Sequence, residues 1–420
     1  MISVVFYNII LVFILVAYIP HLFLRKKWHE GLWKQVGGDL NFLNKIEQGE
    51  NVWIHAVSVG EVLAIEGFVC ELAKKYPKYQ IIVSTVTRTG QKLAKERLNG
   101  VAKVIYAPFD FSWVVRKYIK AINPKVYFAA ETEIWPNLYR FLDKEGVPII
   151  QLNGRISDSS YKGYKMIKLL VESVLNRVSL FCMQSPLDKE RIEVLGADIN
   201  KVHVLGNMKF DNLKDVKKLS RKEWGYSSKD IILVAGSTHP GEEEILIDTY
   251  KNLLKEYPSV RFILAPRHIE RTKNLVDLIK SKGLNVVCLS QKDNFSSDEG
   301  TVLLVDTIGK LKQIYTLANI VFIGKTLIGR GGQNILEPAI AGKPIVVGPN
   351  MQNFKDILAI FRRNAALIEV EDSDDLLVKL KMLLNDEELR EEYGVLAHNL
   401  IDQHTGATDK TLDAVEQYLN

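Results

Sequence analysis

The sequence predicts an α/β fold: two Rossmann-like domains in series behind an N-terminal membrane-anchor helix. Three observations carry this expectation. Short β-branched runs alternate with amphipathic stretches along most of the chain, which calls for βαβ units and parallel sheets, because parallel strands need a crossover. The alternation breaks once, in a polar, Lys-rich stretch from about Lys209 to Lys229, and then restarts. The first 24 residues hold no Asp, Glu, Lys or Arg. A chain of 420 residues also suits two domains of roughly 150–200 residues better than one core.

The N-terminal run Val4–Ile19 is apolar except for Asn8, and about 20 such residues span a bilayer. Arg25, Lys26 and Lys27 follow at once, which by the positive-inside rule leaves the bulk of the chain in the cytoplasm. No basic stretch precedes the run and no A-x-A site follows it, so a cleaved signal peptide fits poorly. The expected anchor is residues 1–27, with Trp28 and Trp33 near the membrane interface.

In the first domain, residues 28–210, strands are expected at Val52–His55, Ile81–Ser84, Lys103–Ala107, Val126–Ala130, Pro148–Leu152 and Leu180–Met183. A linker, 211–229, follows. The second domain, 230–420, repeats the pattern at Ile231–Ala235, Arg261–Ala265, Val286–Leu289, Val302–Val305, Ile320–Ile323 and Pro344–Val347. Helices fill the end, with Ser373 and Thr408 as expected N-caps, and the last helix is able to cross back to the first domain.

Composition narrows the function classes. Hydrophobic residues at 47% and charged residues at 25% exclude a largely disordered chain. A net charge of +5 is far from the balance of a nucleic-acid coat and suits an anionic lipid or phosphate partner. Cys70, Cys182 and Cys288 form no CxxC pair and read as reduced thiols. There is no HExxH or His-rich tract, and no metal site is expected.

Two Rossmann-like halves serve dinucleotide enzymes, periplasmic binding proteins and glycosyltransferases alike, so the loops at the carboxyl ends of the strands must decide. The first, His55–Glu61, opens a helix. Small Ser58 and Gly60 admit a ligand to the helix N-terminus, and Glu61 in the first turn is a candidate general base, expected to be kept ionised by the helix dipole. The fourth strand runs into Glu131-Thr132-Glu133-Ile134-Trp135-Pro136, where Glu131, nearer the strand tip, is the better site candidate. Arg155 follows the fifth strand and suits an anionic group. In the second half Ala235–Glu243 resembles a phosphate-type loop, though GxxxxGK[ST] is absent. Pro266 and Arg267 end a strand, and Arg267 suits bidentate phosphate contact. In Gly329–Ala339, Gly331 and Gly332 lie where backbone amides reach a phosphate, with Asn334 and Glu337 beyond them. No GxGxxG follows the first strand of either half, which argues against nicotinamide or flavin.

Taken together, HAVSVGE, ETEIWPNL, LNGRISDSS, GNMKFD, AGSTHPGEEE, APRH, DTIGKL and GGQNILEPA resemble the bacterial Kdo transferases, which move 3-deoxy-D-manno-octulosonic acid (Kdo) from CMP-Kdo to lipid A precursors. The resemblance covers nearly the whole chain. It implies the GT-B fold, two Rossmann-like domains facing across a cleft, and an inner-membrane protein with its catalytic domains on the cytoplasmic face. By it, Glu61 is similar to the catalytic base and Glu131 to a second essential acid. Pro266, Arg267, Ile308, Gly309, Gly331, Gly332, Asn334 and Glu337 look like the nucleotide-sugar site, with the Gly331 and Gly332 amides and Arg267 on the departing phosphate. Ser58, Gly60 and Arg155 are the implied acceptor or sugar contacts. The implied partners are CMP-Kdo, a lipid A precursor and the membrane surface, without nucleic acid, cofactor or metal. Three departures touch fine donor or acceptor contacts: Ile308 for a usual methionine, Lys325 within a usual GGS, and Gln333 for a common histidine. The rivals are a lipid-directed transferase with a UDP-sugar donor, a sugar-nucleotide epimerase of the same fold, against which the anchor speaks, and an inactive tethered protein, against which the intact acids speak.

Overall fold

The computed structural model describes residues 7–13, 30–47, 49–211, 216–294, 297–329 and 331–420. Most of the expected anchor, with Arg25, Lys26 and Lys27, lies outside the described residues, as do Trp28, residues 212–215 of the expected linker and Arg330. Among the described residues no helix is long and apolar enough to cross a membrane. Residues 7–13 are helical. Their polar side chains tie them to the first sheet domain: the Tyr7 hydroxyl donates to Asp110 Oδ2 at 3.0 Å and Asn8 Nδ2 to Ser112 Oγ at 3.0 Å.

Two compact units divide the chain, Met1–Asn212 with His404–Asn420, and Leu213–Gln403. The first is built on β1 (Asn51–His55), β2 (Gln80–Thr85), β3 (Lys103–Tyr106), β4 (Pro124–Ala130), β5 (Ile149–Gly154), β6 (Leu180–Met183) and β7 (Val202–Val204). They pair in parallel in the order β3-β2-β1-β4-β5-β6-β7. The pleat sends alternate side chains to opposite faces. Val126, Phe128 and Ala130 of β4 thus join one core with Val52 and Ile54 of β1, while Tyr127 and Ala129 join the other with Trp53. Both faces are covered, which is why these strands read as unbroken apolar runs. The sequence hid β7, since only three residues form it and two of them are exposed. Two helices position the chemistry of this unit: α1 (Val59–Lys75) after β1 and α2 (Pro136–Lys144) after β4.

The second unit repeats the plan with β8 (Ile231–Thr238), β9 (Val260–Pro266), β10 (Asn285–Cys288), β11 (Thr301–Leu304), β12 (Ile320–Ile323), β13 (Ile345–Val347) and β14 (Ile368–Glu369), ordered β10-β11-β9-β8-β12-β13-β14 and again parallel. Helices α3 (Glu242–Leu254) and α4 (Leu336–Ile340) open beside its loops, and α5 (Ser373–Asn385) covers the sheet. The final helix, α6 (Ala407–Val415), packs Leu412 and Val415 into the first unit's core.

Both expected caps are corrected. Asp372, not Ser373, caps α5, its carboxylate accepting from Asp374 N at 2.9 Å and Asp375 N at 3.0 Å. Thr408 lies inside α6, whose N-cap is Gly406 with φ +91°. The capping carboxylate comes from the far end of the unit, where Asp211 accepts from Gly406 N at 2.6 Å and also from Thr408 N.

Candidate active site

In each sheet the strand order reverses beside its first strand, and ligands of doubly wound sheets bind at the carboxyl ends flanking that reversal. In the first unit the reversal falls between β1 and β4, so the loops leaving those two strands stand side by side. They are His55–Glu61 and Glu131–Trp135, the two acid-bearing loops that the sequence pointed to in the first domain.

Glu61 occupies the third helical position of α1, behind Ser58 as N-cap. Its Oε2 accepts from Val57 N at 2.7 Å and its Oε1 from the Ser58 hydroxyl at 2.9 Å, a variant of the capping box in which the acid reaches back over the turn. Gly60, at the second position, has open space at its Cβ side apart from Ser58 Oγ at 3.9 Å. Glu61 is only 7% exposed. Burial pushes its pKa up to about 7, the Val57 amide opposes this, and the Glu131 charge adds to it. Desolvation thus outweighs the helix end, which by itself favours the ionised form.

Glu131 has φ +52°. Lys209 Nζ lies 3.1 Å from its Oε1. Lys209 therefore belongs to the site, on the short turn Met208–Phe210, although it stands where the Lys-rich stretch begins. It also draws the Glu61 pKa down. Glu133, the acid set aside in favour of Glu131, is part of the same cluster: burial, then the Glu61 charge, push it up to about 8. Behind the loops His55 is buried, with Nδ1 3.0 Å from Ser84 Oγ and its ring edge-on to Trp135 at 6.0 Å. Burial holds its pKa down at about 4, so it is neutral at pH 7. Arg155 is joined to the same loop through its backbone, its N–H donating to Thr132 Oγ1 at 3.1 Å and its carbonyl accepting from that hydroxyl.

In the second unit the reversal lies between β8 and β12. Glu242, fully buried at the start of α3, holds the two loops together, accepting from His239 N at 2.7 Å and Lys325 N at 2.5 Å. Glu243 is buried beside it in a two-pronged pair with Arg271, at 2.7 and 2.8 Å. The acids of the phosphate-type loop thus brace the loop. Pro266 is buried at the end of β9, and Arg267 and His268 are exposed beyond it. Ile308 is 83% exposed and Gly309 has φ +83°. Asn334 accepts from Leu336 N at 3.1 Å to start α4, and its amide lies 3.4 Å from Glu337 Oε1 in the first turn.

The expected use of the Gly331 and Gly332 amides is corrected. Gly331 N donates to Gln352 Oε1 at 2.7 Å and Gly332 N to Lys325 O at 3.0 Å, so both are engaged within the protein. Their glycines serve backbone shape: φ is +127° and +72°, and a Cβ would meet Asn353 Nδ2 at 2.8 Å and Met351 Sδ at 2.5 Å. Among the described residues no three His, Cys, Asp or Glu side chains gather as a metal-binding group.

Comparison with known proteins adds to this geometry. A family model described as 3-deoxy-D-manno-octulosonic-acid transferase (kdotransferase) matches residues 33–212. A bifunctional glycosyltransferase/methyltransferase of Fusobacterium nucleatum is 34% identical over 412 residues, covering 94% of this chain but 62% of its own length, so the chain spans less than two thirds of that protein. The 3-deoxy-D-manno-octulosonic acid transferase of Haemophilus influenzae is 31% identical over 374 residues, 88% of this chain and 87% of its own. That of Rickettsia felis is 32% identical over 378 residues, 88% and 79%. Among solved structures, UDP-GlcNAc 2-epimerase from Neisseria meningitidis bound to UDP-GlcNAc aligns with a TM-score of 0.57 at 12% identity, over 87% of this chain and 100% of that one. MurG from Acinetobacter baumannii aligns at 0.56 and 11%, over 88% and 99%. At such identities these structures speak for the fold alone, and the fold is that of the GT-B proteins. With its two Rossmann-like units and a relative above 30% identity matched over 87% of that protein's length, the chain belongs to the 3-deoxy-D-manno-octulosonic acid transferase family of glycosyltransferases.

Proposed function

We propose that this protein moves Kdo from CMP-Kdo to a hydroxyl of a lipid A precursor in one inverting displacement, with Glu61 as general base and CMP as the leaving group. The observation that carries the reading is the Glu61 carboxyl itself, buried at the switch point of the first sheet with its pKa pushed up to about 7. A base is most effective when its pKa lies near the working pH, because it is then both deprotonated and proton-seeking. Such a group takes the acceptor proton as the oxygen attacks the anomeric carbon, a contribution on the order of 10²–10⁴-fold.

The Glu131–Lys209 pair limits how far Glu61 shifts, since Glu131 raises its pKa and Lys209 lowers it. Arg155, tied to the Glu131 loop through Thr132, suits the carboxylate that Kdo carries. The nucleotide reading rests on the second unit: Arg267 for phosphate, Asn334 and Glu337 for ribose hydroxyls, and the exposed Ile308–Gly309 turn with Pro266 for the base. With the Gly331 and Gly332 amides engaged, Arg267 carries the departing phosphate charge in this account. We place the enzyme at the cytoplasmic face of the inner membrane through residues 1–27, and we propose that no metal is needed.

The test is a transfer assay with detergent-solubilised full-length protein, CMP-Kdo generated in situ and a tetraacylated lipid A precursor, with product mass read with and without EDTA. One or more added Kdo masses, insensitive to EDTA and with inverted anomeric configuration by NMR, are expected. No added mass beside an active control Kdo transferase would overturn the donor assignment in favour of a UDP-sugar, and loss of activity in EDTA would overturn the metal-free mechanism.

A further inference from the structure

We propose that Asp110 is a positioning residue through which the N-terminal helical segment, residues 7–13, sets the loop that carries Glu131 and Glu133. The inference rests on reading the Glu61, Glu131 and Glu133 cluster as the active site. Its starting point is a cap that α2 cannot make for itself. Trp135, the residue before the helix, offers no capping side chain, and Pro136 at the first position has no N–H. The first free donors of α2 are therefore the amides of Asn137 and Leu138, and helix-end donors buried without partners are costly.

Asp110 supplies the acceptors from another part of the chain. Its Oδ2 accepts from Asn137 N at 2.9 Å and its Oδ1 from Leu138 N at 2.8 Å, and its own carbonyl accepts from Asn137 Nδ2 at 2.5 Å. Both residues are only 2% exposed. The remaining bonds of this buried cluster go to the N-terminal segment. The Tyr7 hydroxyl donates to the same Asp110 Oδ2 at 3.0 Å. Asn8 Oδ1 accepts from Asn137 Nδ2 at 3.1 Å and from Ser112 N at 3.0 Å, and Asn8 Nδ2 donates to Ser112 Oγ at 3.0 Å.

Tyr7 and Asn8 thus have a use that membrane insertion does not explain. They complete the hydrogen bonding of a buried carboxylate and of the Asn137 side chain. The loop from Glu131 to Trp135 hangs between the end of β4 and this capped end of α2, and Tyr139 of α2 donates to Glu133 O at 2.6 Å. Whatever fixes the first turn of α2 fixes one end of the loop and the carbonyl of Glu133. Catalytic groups need placement to within a fraction of an ångström, and an error of about 1 Å costs on the order of 100-fold. Seating of the N-terminal segment is therefore linked, through Asp110 and Asn137, to the geometry of the acids.

The experiment uses the full chain in detergent with the double substitution Tyr7→Phe and Asn8→Ala, which leaves every residue of the proposed active site in place, and a second variant, Asp110→Asn. Deuterium exchange of the amides of residues 131–139 and the split between kcat and KM are read together. The double variant is expected to exchange in this segment about fivefold faster, the effect of losing hydrogen bonds of ordinary strength. Its kcat is expected to fall about tenfold with the KM for CMP-Kdo unchanged, and Asp110→Asn to do both more strongly. Unchanged exchange at residues 131–139 overturns the link whatever the activity. Faster exchange with unaltered kcat overturns the positioning role. Absence of Kdo transfer by the unsubstituted protein would instead defeat the functional reading, while the exchange data still decide the structural link.

Discussion

Glu61 is held between a helix end that favours the carboxylate and a buried setting that disfavours it. The setting wins, and the acid titrates near neutrality, at about 7. Transfer is therefore expected to rise with pH through about 7 and then level off, because the base acts only when deprotonated. Glu61→Gln should remove the dependence along with most of the rate. Lys209→Met should move the limb upward, since the lost cation lowers the Glu61 pKa; a pH–rate profile that stays put would show that Lys209 does not face the base. At this scale the sequence was partly legible. Strand ends and helix starts picked out Glu61 and Glu131, but the Glu61 pKa depends on burial and on charges that the fold brings from Glu131 and Lys209, and no local pattern reports them. Asp110 was invisible for the same reason: it caps a helix that begins 26 residues later, at Pro136.

At the scale of elements, three strand ends at the two switch points turn through the left-handed region on residues other than glycine: Glu131 after β4, Ser237 in β8 and Lys325 after β12, with φ of +52°, +57° and +59°. Such residues cost roughly 1–2 kcal/mol each and persist where function needs the turn. Lys325, like Ser237, has a side chain without a proposed role, so Lys325→Gly should stabilise the fold by up to about 1 kcal/mol, measured by urea unfolding. A loss of stability would mean that the lysine side chain does more than its backbone conformation costs. The Asp211 cap gives the opposite sign. Asp211→Ala should lower stability by about 1 kcal/mol or somewhat more, since two amide donors of α6 lose their acceptor. Element positions were readable because apolar runs covered on both faces stand out; the short edge strands β7 and β14 and the two caps were not, because they depend on contacts made after the chain has folded.

At the scale of the whole fold, four carboxyls among the described residues carry raised pKa values: Glu61, Asp110 and Glu242 at about 7 and Glu133 at about 8. Each is raised first by burial, so the folded state binds more protons than the unfolded chain between the ordinary carboxyl pKa of about 4 and these values. The sign follows: stability falls as pH rises through that window. The thermal midpoint should drop between about pH 5 and pH 8, and Glu61→Gln should flatten the slope; a midpoint that rises across this range would contradict the buried setting of these acids. Topology was legible at this scale, as two α/β halves with a break between them, while the return of α6 to the first unit rests on Leu412 and Val415 finding a core built from residues between Val52 and Met208. The central claim is that Glu61 is the base of Kdo transfer. Its most direct test is the single-turnover rate of Glu61→Gln beside its affinity for CMP. The account predicts a rate lower by on the order of 10²–10⁴-fold with CMP affinity within about twofold of the unsubstituted protein; a near-normal rate would contradict it.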